Sequence, residues 1–398
     1  MNLLFLTPQA PYPPRQGTAI RNWGLVRHLS RRHTITLLTF LEPGQAALAG
    51  ELLEACQHVA AIPAPARTRW DRVRTLLSPE PDLARRLWSP AFAAALRQLL
   101  REQAFDGLHV EGLELAPYLA GLDPALTPRR VIYDAHNVEY LLQRRAARTD
   151  LARPARWPAA LYSHVQWRRL RRLEAEVGRA VSAVTCVSPE DAAALAALVP
   201  GLRPVLVPNG IDVDDYAGFA AEASGPAVVF TGKMDYRPNV DAVLWFAREI
   251  WPRLRARVPA AEGLIVGQKP TPAVRALHGQ AGLVVTGAVE DTRPYIARAG
   301  VYVAPLRMGG GTRFKLLEAM ALGRPIVSTT VGAEGFPVTS GQELILADEP
   351  ASFAEAVADL LGDEPRARAL AAAGRAFVRA RYDWRVIIPA VEALYAEA

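Results

Sequence analysis

The sequence predicts an α/β protein made of two doubly wound domains, each with a parallel sheet covered by helices on both faces. Short apolar runs rich in β-branched residues alternate with helical patterns along all 398 residues. The runs are apolar on both faces, which is typical of parallel strands buried between helices. The chain is also too long for one ordinary core, because domains average about 150 residues.

The predicted strands fall into two sets. The first domain has 2–7, 34–40, 108–112, 130–136, 183–188 and 204–209. The second has 227–232, 263–268, 283–288, 301–306, 325–329 and 344–348. Helices predicted between the strands include 18–31, 238–257 and 312–322. In such sheets ligands bind beyond the carboxyl ends of the strands, so we expect a ligand cleft there.

A Pro-, Gly- and Asp-rich segment, VPGLRPVLVPNGIDVDDY, is the predicted linker between the domains. We therefore expect an N-terminal domain over 1–202 and a second domain over 203–376. The last segment, 377–398, is predicted to be a helix that packs back toward the first domain.

Composition excludes several classes of protein. Apolar residues make up 51% and charged residues 22%, which excludes a disordered chain. No run approaches the roughly 18 apolar residues of a membrane span, and the N-terminus lacks the basic start of a signal peptide. Cys56 and Cys186 give neither a disulfide framework nor a metal cluster. We expect a soluble, cytoplasmic protein.

One segment is strongly basic. Between Arg144 and Arg179, ten arginines face three acidic residues, with Trp157, Tyr162 and Trp167 among them. Guanidinium and indole groups suit an anionic lipid surface, so peripheral contact with the inner face of the cytoplasmic membrane is one interpretation. A solvated helix face is the other. Nucleic acid would also attract the arginines, but no zinc-finger, RRM or KH signature accompanies them, and we expect no nucleic-acid partner.

The strongest local pattern follows the strand predicted at 301–306. A triple glycine comes before a predicted helix, so backbone N–H groups and the helix N-terminus form an anion site. Basic side chains there suit a diphosphate, and a glutamate one turn later suits the two hydroxyls of a ribose. A crossover whose glycines serve only tight packing would not need these side chains. The candidate residues are Gly309, Gly310, Gly311, Thr312, Arg313, Lys315 and Glu318.

Other chemistries lack their motifs. The sequence has no GxGxxG after a strand, no GxxxxGK[ST] loop and no GxSxG turn, and its histidines are not spaced as zinc ligands. Asp212, Asp214 and Asp215 imitate a metal-binding DxD cluster. They follow Asn209 in the linker, where aspartates serve turns and helix caps, so no metal is expected.

The glycine loop and the following KLLEAMALGRPIV resemble the donor-nucleotide motif of family-4-like glycosyltransferases with the GT-B fold. The resemblance covers nearly the whole chain, with further marks in DAHNVE, VPNGID, FTGKMDYRPN and VTGAVEDTRPYIARAGVYVAPL. More narrowly, the chain is similar to sugar transferases associated with PEP-CTERM and exopolysaccharide gene clusters. The resemblance implies two Rossmann-like domains, a nucleoside-diphosphate-sugar donor, retention at the anomeric carbon, and no cofactor.

The family's motif carries over to this chain in part. Glu318 matches the glutamate that binds the ribose in the family. The first glutamate of the family's pair falls on Gly310, so contacts to the donor sugar are expected from the glycine-loop amides or from Arg307. Gly17 lies in the loop after the first strand, which in the family lines the cleft beside the phosphates and the acceptor.

Two basic positions of the family also have counterparts. Lys233 follows Gly232 where the family commonly has a diphosphate-binding arginine. The second basic position falls on Pro238, with Arg237 one residue early. By resemblance these residues bind the donor diphosphate, and Lys233 and Lys315 stabilise it as it departs.

His136 ends a predicted strand and, by resemblance, contacts the donor sugar at the reaction centre; the alternative is a histidine that caps the next helix. Asp134 is expected to be structural. Glu139 and Glu111 are weaker candidates on the acceptor side.

Three functions remain open from the sequence. The first is a retaining glycosyltransferase acting on a hydroxyl acceptor, expected to be a lipid-linked or exopolysaccharide precursor, by front-face displacement. The second is a nucleotide-sugar epimerase of the same fold, which needs no acceptor. The third is a non-catalytic nucleotide-sugar-binding module, made plausible by the missing glutamate. The glycine loop with Glu318 favours the transferase.

Overall fold

The structure, a computed structural model, describes residues 1–14, 17–41, 48, 50–68, 70–71, 75, 78–151, 154–219, 225–309 and 313–396. The chain forms two compact units. Unit 1 comprises Met1–Pro208 and Ile387–Ala398, and unit 2 comprises Asn209–Val386. Each unit is built on one parallel sheet.

Unit 1 has a seven-stranded sheet with the order β3-β2-β1-β4-β5-β6-β7, in which every neighbouring pair is parallel. Its strands are β1 Asn2–Thr7, β2 Thr34–Leu41, β3 His58–Pro63, β4 Gly107–Glu111, β5 Arg130–Ala135, β6 Ala183–Cys186 and β7 Val205–Leu206. Its helices are α1 Gly17–Leu29, α2 Gly50–Ala55, α3 Asp82–Arg85, α4 Pro90–Glu102, α5 Glu139–Leu151, α6 Trp157–Ala180 and α7 Pro189–Leu198, with 3-10 turns at Leu113–Leu119 and Pro154–Arg156.

Unit 2 has a six-stranded parallel sheet with the order β10-β9-β8-β11-β12-β13. Its strands are β8 Ala227–Thr231, β9 Glu262–Val266, β10 Leu283–Gly287, β11 Val301–Ala304, β12 Ile326–Ser328 and β13 Ile345–Leu346. Its helices are α8 Arg237–Trp245, α9 Trp251–Arg257, α10 Pro272–Arg275, α11 Arg293–Ala297, α12 Phe314–Ala321, α13 Pro350–Gly362, α14 Glu364–Arg381 and the start of α15 Trp384–Ala396, with a 3-10 segment at Val213–Phe219 and a π-turn at Phe246–Ile250.

Apolar side chains cover both faces of each sheet. In unit 1, Leu4 and Leu6 of β1 pack in one cluster with Phe92 of α4, whose N-terminus is capped by Ser89. Each such fully buried side chain contributes about 1.5–3 kcal/mol. In unit 2, α12 buries Leu316, Leu317 and Met320 in the core. The helix therefore turns Lys315 and Glu318, three residues apart, away from the core.

The predicted fold class is confirmed, and the strand order of both sheets is that of a doubly wound sheet. The sequence missed β3, because its burial is partial and lacks the apolar continuity of the other strands. The boundary lies at Pro208, not at 202, because β7 pairs with β6 in the first sheet. The final segment joins unit 1 only from Ile387, because Phe377 and Val378 pack in the core of unit 2.

None of the described helices combines the length and the apolar composition that a bilayer crossing requires.

Candidate active-site residues

In unit 1, strand register brings three predicted residues to the carboxyl edge of the sheet. Glu111, the last residue of β4, is paired with Asp134 of β5, and His136 directly follows β5. His136 Nε2 lies 2.7 Å from Glu111 Oε2 and 3.8 Å from the nearer oxygen of Asp134. Glu111 is fully buried, whereas the side chain of His136 is 15% exposed. His136 can therefore meet a ligand, while Glu111 reaches one only through His136.

Asp134 is bonded to a buried arginine that the sequence reasoning missed. Arg21 of α1 donates to both carboxylate oxygens, at 2.7 and 2.8 Å, and also to the carbonyl oxygen of Pro208 at 3.0 Å. Burial favours the neutral acid, but the Arg21 charge outweighs it and holds the pKa of Asp134 far below its usual value. These contacts tie α1 to the sheet, as a structural role for Asp134 requires.

Two further predicted residues of unit 1 lie at helix starts. Glu139 begins α5, is partly buried, and contacts the Asn137 amide at 3.4 Å. Burial, followed by the charge of Glu114, raises the pKa of Glu139 to about 7, so this carboxyl can exchange a proton near neutral pH. Gly17 is the exposed first residue of α1 and not a loop residue as predicted.

In unit 2, two glycines bring the loops after β8 and β9 into backbone contact. The Gly232 N–H donates to the Val266 carbonyl at 3.0 Å, and a Cβ on Gly267 would lie 1.7 Å from the Gly232 oxygen. Their φ angles of 155° and 153° are also rarely adopted by other residues. This close approach fixes the start of the loop that carries Lys233.

Lys315 lies against that same loop. Its Nζ donates to Asn239 Oδ1 at 2.8 Å and sits 4.1 Å from the centre of the Phe230 ring. The Asn239 amide donates in turn to the Lys233 carbonyl oxygen at 2.9 Å. Burial, followed by the charge of Arg313, lowers the pKa of Lys315 to about 7. An anion arriving here would meet a poorly solvated amine that gains charge as it binds.

Glu318 lies one turn further along α12 and is partly buried. It accepts a hydrogen bond from Tyr216 at 3.4 Å. Burial and then the Asp291 charge raise the pKa of Glu318 to about 7, against the opposing effects of Tyr216, Lys315 and Arg293. Arg293 is paired with Asp291 at 2.9 Å, and its guanidinium carbon lies 5.9 Å from the centre of the Tyr216 ring. The sequence reasoning missed Tyr216 and Arg293, which lie 102 and 25 residues from Glu318 in the chain.

The glycine loop is described only at its ends. Gly309 has a φ of 127°, and a Cβ there would lie 2.8 Å from Arg313 Nη2, so the guanidinium packs directly against this glycine. Arg313 immediately precedes α12. The predicted donor-binding residues Gly310, Gly311 and Thr312 lie outside the described residues.

The remaining basic candidates differ in their contacts. Lys233 is 45% exposed, and its Nζ is 3.7 Å from an Asp235 oxygen. Arg237 is the exposed first residue of α8. Arg307, expected near the donor sugar, forms a two-pronged ion pair with Asp241 through Nε and Nη2, at 3.0 and 2.8 Å.

The aspartates of the linker segment do not gather as a metal site would require. Asp214 is paired with Arg379 at 3.1 Å and with Arg385 at 2.9 Å. Two guanidinium groups at one carboxylate favour a structural role for it.

Comparison with known proteins gives consistent matches for both units. Residues 15–215 match the family described as Glycosyltransferase Family 4, and residues 225–363 match Glycosyl transferases group 1. The phosphatidyl-myo-inositol mannosyltransferase of Mycobacterium tuberculosis strain H37Rv is 33% identical over 209 residues, which is 49% of this chain and 54% of that protein. A GDP-mannose-dependent alpha-(1-6)-phosphatidylinositol monomannoside mannosyltransferase of the same strain is 29% identical over 269 residues, 60% of this chain and 69% of that protein.

The chain thus spans about half the length of the first of these relatives. Among solved structures, Anabaena Alr3699/HepE in complex with UDP and glucose aligns over 100% of both chains with a TM-score of 0.68 and 14% identity. At that identity the likeness shows the fold alone, which is GT-B. The match at 15–215 covers half of the chain, and this protein therefore belongs to glycosyltransferase family 4.

Proposed function

We propose that the protein is a retaining, metal-independent glycosyltransferase that takes its sugar from a nucleoside-diphosphate donor. The observation that carries the proposal is the pairing of Lys315 and Glu318 on one face of α12. The ammonium, held 2.8 Å from Asn239, is placed for a diphosphate, and the carboxylate is placed for a ribose. Lys233 and Arg313 supply further positive charge beside it.

The charges that the chain itself supplies support metal independence. In unit 1, His109, Glu111 and Asp134 have ligand atoms within 4.8 Å of one another. Arg21 holds both oxygens of Asp134, so a cation there would have to displace a buried guanidinium. We infer that lysine, arginine and the N-terminus of α12 neutralise the leaving diphosphate instead.

Retention fits a front-face displacement. The bond from the anomeric carbon to the diphosphate oxygen breaks, the bond to the acceptor oxygen forms on the same face, and the acceptor proton passes to the departing diphosphate. Catalysis is then mostly positioning and charge stabilisation, with His136 contacting the donor sugar. NMR of the anomeric proton in the product tests the stereochemistry.

The acceptor is proposed to be a lipid-linked glycan precursor. Two relatives are named for mannosyl transfer to phosphatidylinositol lipids, which makes GDP-mannose and phosphatidylinositol the first pair to test. An exopolysaccharide precursor is the alternative acceptor, based on the resemblance of the sequence to sugar transferases of exopolysaccharide gene clusters.

A surface of unit 1 suits such an acceptor. Leu151, Trp157 and Leu161 at the junction of α5 and α6 are 56%, 58% and 67% exposed. Trp167 of the same segment has the guanidinium groups of Arg144 and Arg168 over its ring, at 5.6 and 5.1 Å from the ring centre. The exposed arginines of these two helices include Arg144, Arg145, Arg148, Arg168, Arg171 and Arg172.

We infer that this surface, defined by Leu151, Trp157, Leu161 and those arginines, contacts anionic lipid peripherally. The test is sedimentation with phosphatidylcholine vesicles with and without phosphatidylglycerol. The wild type should bind only the anionic vesicles, and Trp157→Ala/Leu161→Ala should bind them less. Leu53→Ala, an exposed leucine outside this surface, is the matched control. Equal binding by the double variant and the control would refute the contact.

The donor site is tested by thermal stabilisation with GDP-, UDP-, ADP- and dTDP-sugars in the presence of EDTA. One donor should raise the melting temperature, and the shift should be lost in Glu318→Ala and reduced in Lys315→Ala. Arg257→Ala, which removes an exposed ion pair of unit 2, should leave the shift unchanged. No shift from any donor, or shifts that appear only with added metal, would contradict the proposal.

A further inference from the structure

A chain of buried polar side chains runs through unit 1 from the last helix to His136. Tyr395 Oη lies 2.6 Å from His109 Nδ1, and His109 Nε2 lies 3.2 Å from Glu111 Oε1. The other Glu111 oxygen lies 2.7 Å from His136 Nε2. The side chains of His109 and Glu111 are 1% and 0% exposed, and the His109 ring is stacked on Phe5. Packing therefore fixes the two central members, whereas the contact between His109 Nε2 and Glu111 Oε1 is close but is not a hydrogen bond.

The proton positions along this chain follow from chemistry. Burial raises the pKa of Tyr395 well above its usual value, so its hydroxyl stays protonated in the contact with His109 Nδ1. A carboxylate only accepts, so His136 carries a proton on Nε2 where it meets Glu111. Asn22 adds a donor to the same Glu111 oxygen at 3.0 Å when its amide is oriented to suit its neighbours.

We propose that Glu111 is a positioning residue that holds the His136 ring with Nε2–H on the carboxylate, so that the neutral ring offers its Nδ1 lone pair to a substrate hydroxyl. Glu111 then acts through His136 and does not touch the acceptor, in contrast to the acceptor-side role expected from the sequence. The inference rests on the proposed function, because His136 needs a fixed tautomer only if a sugar is bound beside it.

The charges around His136 favour the protonated ring, so the Nδ1 lone pair is offered only when the ring is neutral. Burial opposes protonation of the ring, but the hydrogen bond and the charge of Glu111 outweigh it and raise the pKa of His136 above its usual value. Asp134 acts in the same direction and Arg21 in the opposite one. Because Arg21 is already bonded to Asp134, Glu111 is the carboxylate in direct contact with the ring.

The direct test is the ¹⁵N NMR spectrum of histidine-labelled full-length protein during a pH titration, with His136 assigned from His136→Asn. The neutral His136 ring should be the Nε2–H tautomer, with a pKa above that of a free histidine. Glu111→Gln should lower this pKa, whereas Glu392→Gln, which removes the carboxylate 3.1 Å from His33, should leave it unchanged. An Nδ1–H tautomer in the wild type would overturn the proposal without recourse to any variant.

A kinetic arm separates this inference from the proposed function. Release of GDP from GDP-mannose in the presence of phosphatidylinositol vesicles is followed against pH. In Glu111→Gln, kcat should fall by about 10–100-fold, as for other partners that orient a functional histidine, with the KM for GDP-mannose little changed. The limb of the pH profile that belongs to His136 should move to lower pH, and Glu111→Asp should restore part of the rate.

An unaltered pH profile in active Glu111→Gln would overturn the positioning role alone. Absence of turnover by the wild type with every donor and acceptor would count against the proposed function, and the tautomer measurement would still decide the arrangement of His136.

Discussion

Donor binding should depend on pH through Lys315, because this amine is buried next to another cation. Its pKa of about 7 means that about half of the free protein carries an uncharged Lys315 at neutral pH. A bound diphosphate favours the ammonium, so binding must be accompanied by proton uptake. Because the pKa of Lys315 in the free protein is lowered to about 7, donor affinity falls as the pH rises above 7.

The size of this effect follows from the pKa. Between pH 7 and pH 8.5 the charged fraction of Lys315 falls about 15-fold, which corresponds to ~1.6 kcal/mol of donor binding free energy. Arginine stays charged throughout this range, so Lys315→Arg should bind with nearly constant affinity. Glu318, whose pKa is also about 7, gains carboxylate over this range, but only about twofold, so it offsets a small part of the loss caused by Lys315.

The assay is isothermal titration calorimetry with the donor identified by thermal stabilisation, in two buffers of different ionisation enthalpy. The wild type should take up nearly one proton per donor at pH 8.5 and about half a proton from Lys315 at pH 7. Lys315→Arg should take up none at pH 8.5. A wild type that binds without proton uptake at pH 8.5 would refute the reasoning, because Lys315 would then be charged before the donor arrives.

Three further changes have defined outcomes. The wild type should lose donor affinity below pH 7, because the raised pKa of Glu318 lets its carboxylate become protonated there. Glu318→Gln should abolish this loss, which calorimetry at pH 5.5 tests. Gly267→Ala should cost more than about 3 kcal/mol in urea unfolding because its Cβ overlaps a carbonyl oxygen, whereas Gly362→Ala, with open space around it, should cost little. Arg21→Met should cost about 3–5 kcal/mol in the same assay, because it strands the buried Asp134 charge.

Most of the fold could be predicted from the sequence, because buried parallel strands consist of short runs of apolar residues. The runs at 2–7 and 301–306 correspond to β1 and to β11. Strand β3, His58–Pro63, was not predicted because its side chains are only partly buried and its sequence therefore mixes polar and small residues. The domain boundary was displaced because β7 is two residues long and its place in the first sheet depends on pairing, not on composition.

Sequence spacing by itself placed site residues next to one another only where they are close in the chain. Lys315 and Glu318 share a helix face, so spacing alone placed them together. Arg21 bonds Asp134 across 113 residues, and Tyr395 reaches His109 across 286. Such contacts are decided by sheet order and by the return of the last helix to unit 1, which no local pattern encodes.

Glycosyl transfer to a lipid is tested most directly by mass spectrometry of the lipid recovered after incubation with GDP-mannose and phosphatidylinositol vesicles in EDTA. Parallel incubations replace GDP-mannose by each of the other donor sugars. The wild type should add one hexose to the lipid with one donor, and both Lys315→Met and Glu318→Ala should lose most of this product. Conversion of the donor sugar without any glycolipid would instead indicate an epimerase. Stabilisation by a donor with no turnover on any acceptor would indicate a non-catalytic binding module. Either result would contradict glycosyl transfer by this protein.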